Sequence, residues 1–200
     1  MVLSKPDILE RLKSGKADPS DYRSLSFSPS IQPEAIDQCS IDLRVQPIFS
    51  TFKQKKYIGS FNIQSAKEML DSEELWDHRE TNDWELRPGE FVLTRTLELV
   101  HLPNDLMGLV EGRSSYARLG VGIHVTAPKI DPGYNNRITL ELTNHSKAAY
   151  KIVAGEDGIS LCQLILVKLS TALDRDEIRG GSLSKDLMIA QAAPIRSRRK

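Results

Sequence analysis

The sequence predicts a mostly β chain, an antiparallel sandwich or barrel preceded by one short helix. Three observations carry that expectation. Short stretches of alternating apolar and polar residues recur along the chain, the period of strands with one buried face. Turn residues punctuate them at close intervals, as in Arg87-Pro88-Gly89-Glu90, Asp131-Pro132-Gly133-Tyr134-Asn135-Asn136, Asn144-His145-Ser146 and Gly155-Glu156-Asp157-Gly158. Strands do not alternate with long helical patterns, as a parallel sheet would require. Two hundred residues with 40% apolar content suit a single domain over 1–200, and no internal repeat is visible.

The chain opens on the helix. Ser4-Lys5-Pro6-Asp7 has the form of a capping box, with Pro placed where its missing N–H does no harm. Ile8, Leu9 and Leu12 make one apolar helix face, and Gly15 is the expected stop. Residues 18–31, rich in Ser, Pro and Asp, read as a loop. Ile41, Leu43 and Val45 alternate with Asp42 and Arg44, so 40–46 is a strand, with Asp42 expected to pair locally in a structural role. Residues 52–90 are less regular, with a short helix expected from Ser65 through Leu75. Trp76 and Trp84 are expected to anchor this excursion to the core rather than to stack on a base.

Phe91 to Leu99 is the next strand. Val121, Ile123 and Val125 then alternate with Gly122, His124 and Thr126, predicting a strand over 121–126. After the Asp131–Asn136 turn, Ile138, Leu140 and Leu142 face one way and Thr139, Glu141 and Thr143 the other. Glu141 is thereby a carboxylate held on a strand opposite the core, where an acid/base group is positioned rigidly. Ala149–Val153 is a further strand. Ile159–Leu169 is apolar on both faces apart from Ser160, Gln163 and Lys168, which predicts a central strand; the amide of Gln163 needs partners there. From Thr171 the regular pattern ends, and Arg196-Ser197-Arg198-Arg199-Lys200 reads as a flexible basic tail.

Composition excludes several function classes. Basic and acidic residues balance at 27 each, so nothing global favours nucleic acid or a membrane surface, and any anion site must be local. Gly112-Arg113-Ser114-Ser115, which reads as a short polar loop, is such a local candidate: a guanidinium fork, two hydroxyls and a backbone open to close approach suit phosphate. Cys39 and Cys162 are too few for a disulfide framework and lack metal-ligand spacing. Zinc-dependent deaminases need a Cys-x-x-Cys pair, and the four histidines here are scattered singly. The sequence therefore offers no zinc site of that kind. No apolar run approaches membrane-spanning length and no signal-peptide pattern follows Met1, so the chain is expected to be soluble and cytoplasmic.

Taken singly, each of these pieces has an ordinary structural reading; their order carries more. GRSSYARLG (112–120), HVTA (124–127), IDPGY (130–134) and ITLEL (138–142) together resemble the dCTP deaminase family, within the trimeric dUTPase-like superfamily. IQPEAIDQCSIDLRV (31–45), FVLTRTLELVHLPNDLMG (91–108), CQLILVKL (162–169) and the opening LSKPDILERLKSG (3–15) extend the resemblance over roughly residues 3 to 170. It implies a distorted β barrel or jelly roll assembled as a homotrimer, with sites between subunits that bind dCTP or dUTP and with dTTP as a candidate inhibitor. It implies no nucleic acid or membrane partner.

Residue by residue, the resemblance implies that Arg113, Ser114 and Ser115 contact the triphosphate, with Tyr116 and Ala117 between them and Arg118 in the same substrate-binding run. Ser114 and Arg118 would hold the attacking water near C4 of cytosine, and Glu141 would shuttle the protons. Ala127 would meet the base through its backbone, Asp131 the sugar 3′ hydroxyl and Tyr134 the deoxyribose. Thr139, Leu140 and Glu141 would line the base, and Gln163 would reach the phosphates. Mg²⁺ would ride on the triphosphate and not in a protein cage. The activity implied is deamination of dCTP to dUTP, alone or followed by hydrolysis to dUMP. A dUTPase alone and a non-catalytic nucleotide-binding paralogue are the alternatives; Arg118 and Glu141, which match the deaminase pattern, favour the first. Two departures stand out. Asn136 replaces the family's usual Gly, and no tyrosine follows Tyr150 where the family carries a Tyr-containing closing segment. Residues 178–184 faintly resemble the Gly-rich closing arm of dUTPases, with Lys185 a phosphate contact, so 171–200 is expected to be a lid followed by the tail.

Overall fold

Most of the buried apolar residues of the strands make one core shared by two antiparallel sheets, and Leu75, Trp76 and Leu93 form a small second cluster. The computed structural model describes residues 1–14, 24–53, 62–64 and 75–178. Helix α1 (Lys5–Ser14) starts at the predicted box: the Asp7 carboxylate accepts the Ser4 N–H at 3.0 Å and the Ser4 hydroxyl at 2.6 Å. Its Ile8 is fully buried in the core, and Arg11 pairs with Asp105. Gly15, the predicted stop, lies outside the described residues.

The strands are β1 (Ser26–Ser28), β2 (Ile41–Arg44), β3 (Ile48–Phe52), β4 (Trp76–Glu80), β5 (Asp83–Leu86), β6 (Phe91–His101), β7 (Leu106–Gly112), β8 (Val121–Gly122), β9 (Lys129–Ile130), β10 (Asn135–Asn144), β11 (Tyr150–Val153) and β12 (Ser160–Lys168). The larger sheet runs β4-β3-β6-β10-β8, with β1 also paired to β6; the second runs β2-β12-β7-β9; β11 and β5 form a small third sheet. None of these sheets closes on itself among the described residues, so the architecture is layered rather than a closed barrel. β12 is central between β2 and β7, as its two apolar faces predict.

Several elements depart from the sequence expectation. Residues 26–28 are a strand inside the predicted loop, paired with β6. The irregular 52–90 region holds β4 and β5; β4 shows no alternation of burial because after buried Trp76 its residues are all exposed, and β5 alternates over only four residues. The helix expected over 65–75 lies outside the described residues, apart from buried Leu75. Trp84 stacks on Phe49 with ring centroids 4.9 Å apart and packs on the core, the anchoring role predicted, whereas Trp76 lies edge-on to Phe52 and packs with Leu75 and Leu93 in a separate small cluster. Asn135 and Asn136 belong not to the turn but to β10, opposite His101 and Val100.

β10 is the strand that positions the candidate site. Its Ile138, Leu140 and Leu142 are buried, and Thr139, Glu141 and Thr143 lie half-buried on the other face. Pairing with β6 is interrupted between Arg137 and Thr139, where the Thr96 hydroxyl accepts the Ile138 N–H at 3.0 Å in place of a backbone carbonyl. Because Leu140 lies in the core, only its backbone is available to a ligand. Leu140→Ala is therefore expected to cost about 2–5 kcal/mol in denaturant unfolding; a loss below about 0.5 kcal/mol, typical of surface positions, would contradict this packing.

Candidate active site

Two groups of predicted residues form on different sheets. The first lies where β7 leaves the second sheet. Gly112 ends β7, Arg113 is extended, and Ser114–Ala117 form a single helical turn, α2, where the sequence suggested a loop. The turn forms because the Tyr116 and Ala117 N–H groups both reach the Arg113 carbonyl, at 3.0 Å each. It leaves Ser114, Ser115 and Ala117 exposed, and the half-buried Tyr116 ring packs on the core. Arg118 comes next on the same side: its Nε donates to the Ser114 carbonyl at 3.2 Å and its Nη2 to the Ser114 hydroxyl at 3.4 Å. The two residues predicted to hold a water thus touch.

Gln163 of β12 joins this group. Its Oε1 accepts the Ser40 hydroxyl at 3.1 Å and its Nε2 donates to the Gly112 carbonyl at 3.5 Å, which supplies the partners that a half-buried amide requires. Asp42, expected to pair locally, instead binds the distant Arg113, with Oδ2 2.7 Å from Nη1. Burial raises the Asp42 carboxyl above the ordinary aspartate range; Arg113 opposes that shift and Asp37 adds to it.

The second group gathers on β10 and the chain facing it. Only Val121–Gly122 of the predicted 121–126 strand pairs as a strand. The Ile123 carbonyl still accepts the Glu141 N–H at 2.9 Å, but the Val125 N–H is taken at 2.7 Å by the Glu141 carboxylate, through Oε2. That side chain replaces the ladder, so the backbone bends, Ile123 stays buried and Val125 turns outward to 57% exposure. Ala127 is exposed in the same bent stretch. Asp131 is exposed and pairs with Lys129 at 2.7 Å. Gly133 has φ +76°, the left-handed conformation that the turn needs. The Tyr134 hydroxyl donates to the Arg137 carbonyl at 2.7 Å, and Thr139 sits opposite Arg95.

Among the described residues, no hydrogen bond or ion pair links Glu141 with Ser114 or Arg118. The Ser114–Arg118 group and the Glu141 group form separately within one chain. Sequence reasoning missed Glu98, 1% exposed on β6, which accepts the Arg44 N–H at 2.9 Å and its Nε at 2.8 Å. It also missed Arg95 and Arg137 near Tyr134, both lowered in pKa chiefly by burial. A carboxylate among apolar strand residues was the available signal for Glu98. Lys185 and residues 179–184 lie outside the described residues. The chain preceding them is tied down: Asn104 Nδ2 donates to the Leu173 carbonyl at 2.6 Å, and Ile178 packs against Gly133.

The sequence profile of the dCTP deaminase-like family matches residues 2–169. The chain belongs to the dCTP deaminase-like family. It is 39% identical over 174 residues to a dUMP-forming dCTP deaminase of Dictyoglomus thermophilum, covering 86% of this chain and 82% of that protein. It is 40% identical over 177 residues to a dCTP deaminase of Haloarcula marismortui, covering 88% and 84%. The crystal structure of 2′-deoxycytidine 5′-triphosphate deaminase from Agrobacterium tumefaciens shares the fold, with a TM-score of 0.58 at 16% identity over 88% of this chain. This chain spans half of that protein's chain.

Burial pushes the Tyr134 phenol up to about 12, with Arg95 pulling the other way. The folded chain then keeps this proton while unfolded Tyr134 ionises near pH 10. Its stabilising contribution is full below about pH 10 and lost as pH rises through about 12. An absorbance titration should show a late-ionising phenol that Tyr134→Phe removes; identical curves for the two proteins would contradict the burial.

Proposed function

We propose that this protein deaminates dCTP to dUTP and ammonia, without zinc, in sites completed between the subunits of a homotrimer. The observation that carries the reading is the placement of Glu141. Its carboxylate is fixed by the Val125 N–H through one oxygen, on a strand whose opposite face is locked in the core. Among the described residues its other oxygen has no hydrogen-bond partner. That is the disposition a proton shuttle requires. It would take a proton from water as the oxygen attacks C4, deliver it to N3, and then move a proton to the departing amine, so that water and dCTP become dUTP and ammonia. Positioned acid–base chemistry of this kind contributes about 10²–10⁴-fold.

Arg118, resting on Ser114, supplies the positive charge and hydroxyl that would hold the water and favour its hydroxide character. Arg113, Ser115 and Gln163 would take the phosphates, with Mg²⁺ arriving on the nucleotide. Asp131 and Tyr134 would meet the deoxyribose, and Ala127 and Thr139 the base. Zinc independence is supported by the donor set: Cys162 is fully buried and its thiol is raised by burial, and Cys39 is not spaced to join it as a ligand pair.

Assembly is supported by β6. Its inward row is Val92, Thr94, Thr96, Glu98 and Val100, all buried; on the alternate row Leu93 and His101 are buried, whereas Leu97 and Leu99 stay half-buried and Phe91 at the start of the strand is exposed. A strand that turns leucines outward and hydroxyls inward suits a sheet covered by another subunit. It would bring one subunit's Glu141 to another's Ser114–Arg118.

A second reading adds hydrolysis of dUTP to dUMP and pyrophosphate, favoured by relatives named as dUMP-forming. Exposed Asp131 would then orient the hydrolytic water. Incubation with dCTP and Mg²⁺, with dCTP, dUTP and dUMP resolved by chromatography, separates the readings. Glu141→Gln should lower ammonia release by about 10²–10⁴-fold while light scattering still shows three times the 22.4 kDa chain mass. Turnover at the parent rate would make Glu141 a mere strand residue. If dUMP is formed, Asp131→Asn should reduce pyrophosphate release much more than ammonia release; equal losses would leave Asp131 a sugar contact only.

A further inference from the structure

The proposed phosphate-binding role of Arg113, on which this inference rests, leaves its ion-pair partner unexplained. β2, β12 and β7 lie side by side, and their register sets Asp42 opposite Gln163 and Gln163 opposite Glu111. Residues paired across neighbouring strands emerge on the same side of a sheet. Asp42 and Gln163 are therefore presented together where β7 ends, and the Arg113 side chain reaches Asp42 there. Its backbone is extended there, at φ −72° and ψ 132°. Asp42 is held by strand pairing and has a side chain only 19% exposed, whereas that of Arg113 is 40% exposed. One member of the pair is fixed and the other faces solvent.

The closest contact is between Nη1 and the Asp42 Oδ2, and among the described residues no hydrogen bond engages Nε or Nη2. A guanidinium carries five N–H donors in a planar fork, so this grip leaves Nε and Nη2 available. An anion competing with phosphate would occupy the fork's bidentate edge, whereas the closest approach of Asp42 is to one terminal nitrogen. We propose that Asp42 is a positioning residue for Arg113, holding its guanidinium so that the remaining N–H groups already face the phosphate chain of the nucleotide. Fixing a long side chain before the ligand arrives reduces the ordering cost of binding. Gln163, itself fastened to Ser40 and to the Gly112 carbonyl, completes a prearranged polar row.

The test uses the full-length chain, with inorganic tripolyphosphate as a calorimetric probe and dCTP as substrate. Asp42→Ala removes the grip, and Asp42→Asn keeps an acceptor oxygen but removes the charge. Positioning predicts that Asp42→Ala weakens tripolyphosphate binding about tenfold or more, raises the KM for dCTP more than it lowers kcat, and is partly rescued in Asp42→Asn. Unchanged or tighter binding in Asp42→Ala would overturn the proposal, because a competing anion, once removed, strengthens phosphate binding. Because Asp42 acts through Arg113, Asp42→Ala is expected to weaken binding no more than Arg113→Ala and to add no further loss in the double variant; undiminished binding in Arg113→Ala would also overturn the proposal. The probe separates this from the deaminase reading. A parent that binds tripolyphosphate through Arg113 and Asp42 but leaves dCTP unchanged would support the positioning role and defeat the deaminase assignment. Should Asp42→Ala not fold, Asp42→Glu displaces the oxygen by one methylene and carries the same expectation.

Discussion

The pairing of β10 with β6 is the constraint on which the rest of the structure depends. It fixes an alternation in which every second residue of β10 is core and its neighbours face outward, so Leu140 and Glu141 cannot be moved independently. A register slip of one residue would bury the carboxylate and expose the leucines. The site therefore inherits its rigidity from the core, and the same hydrophobic burial that folds the chain aims Glu141. The carboxylate returns part of that order by taking the Val125 N–H, which bends the stretch carrying Ala127.

β6 constrains β10 from its own side. Its buried row contains Thr94, Thr96 and Glu98, each with its polar groups engaged: Thr94 donates to the Ile48 carbonyl at 2.8 Å, Thr96 to the Glu98 carbonyl at 2.7 Å, and Glu98 binds Arg44. Interior polar groups are tolerated only with such partners. The Thr96 hydroxyl also accepts the Ile138 N–H, and so carries the irregularity that separates Arg137 from Thr139. A buried hydroxyl on one strand thus sets the local course of the strand that lines the candidate base site.

Much of this was legible in the sequence because burial is periodic. The outward placement of Glu141, the central position of β12 and the capped first helix all came from spacing alone. What was not legible depends on contacts between distant residues. Asp42 gave no sign that its partner would be Arg113. The 121–126 alternation predicted a full strand because the sequence cannot show a glutamate side chain replacing a ladder hydrogen bond. β4 escaped notice because four of its five residues are exposed. The mispredicted loop at Ser114 was a helical turn too short for any periodicity to register.

Division of the candidate site between two sheets leads to the central claim: Glu141 and the Ser114–Arg118 pair meet across a subunit boundary. Refolding Arg118→Ala chains together with Glu141→Gln chains tests this directly. Each variant alone should lack dCTP deamination. Random mixing in a closed cyclic trimer should restore about a quarter of the sites, because some boundaries pair an intact Arg118 with an intact Glu141. Activity recovered in the mixture, and absent from either variant alone, is the result expected. A mixed trimer as inactive as its components would place both groups in the same subunit and contradict the claim.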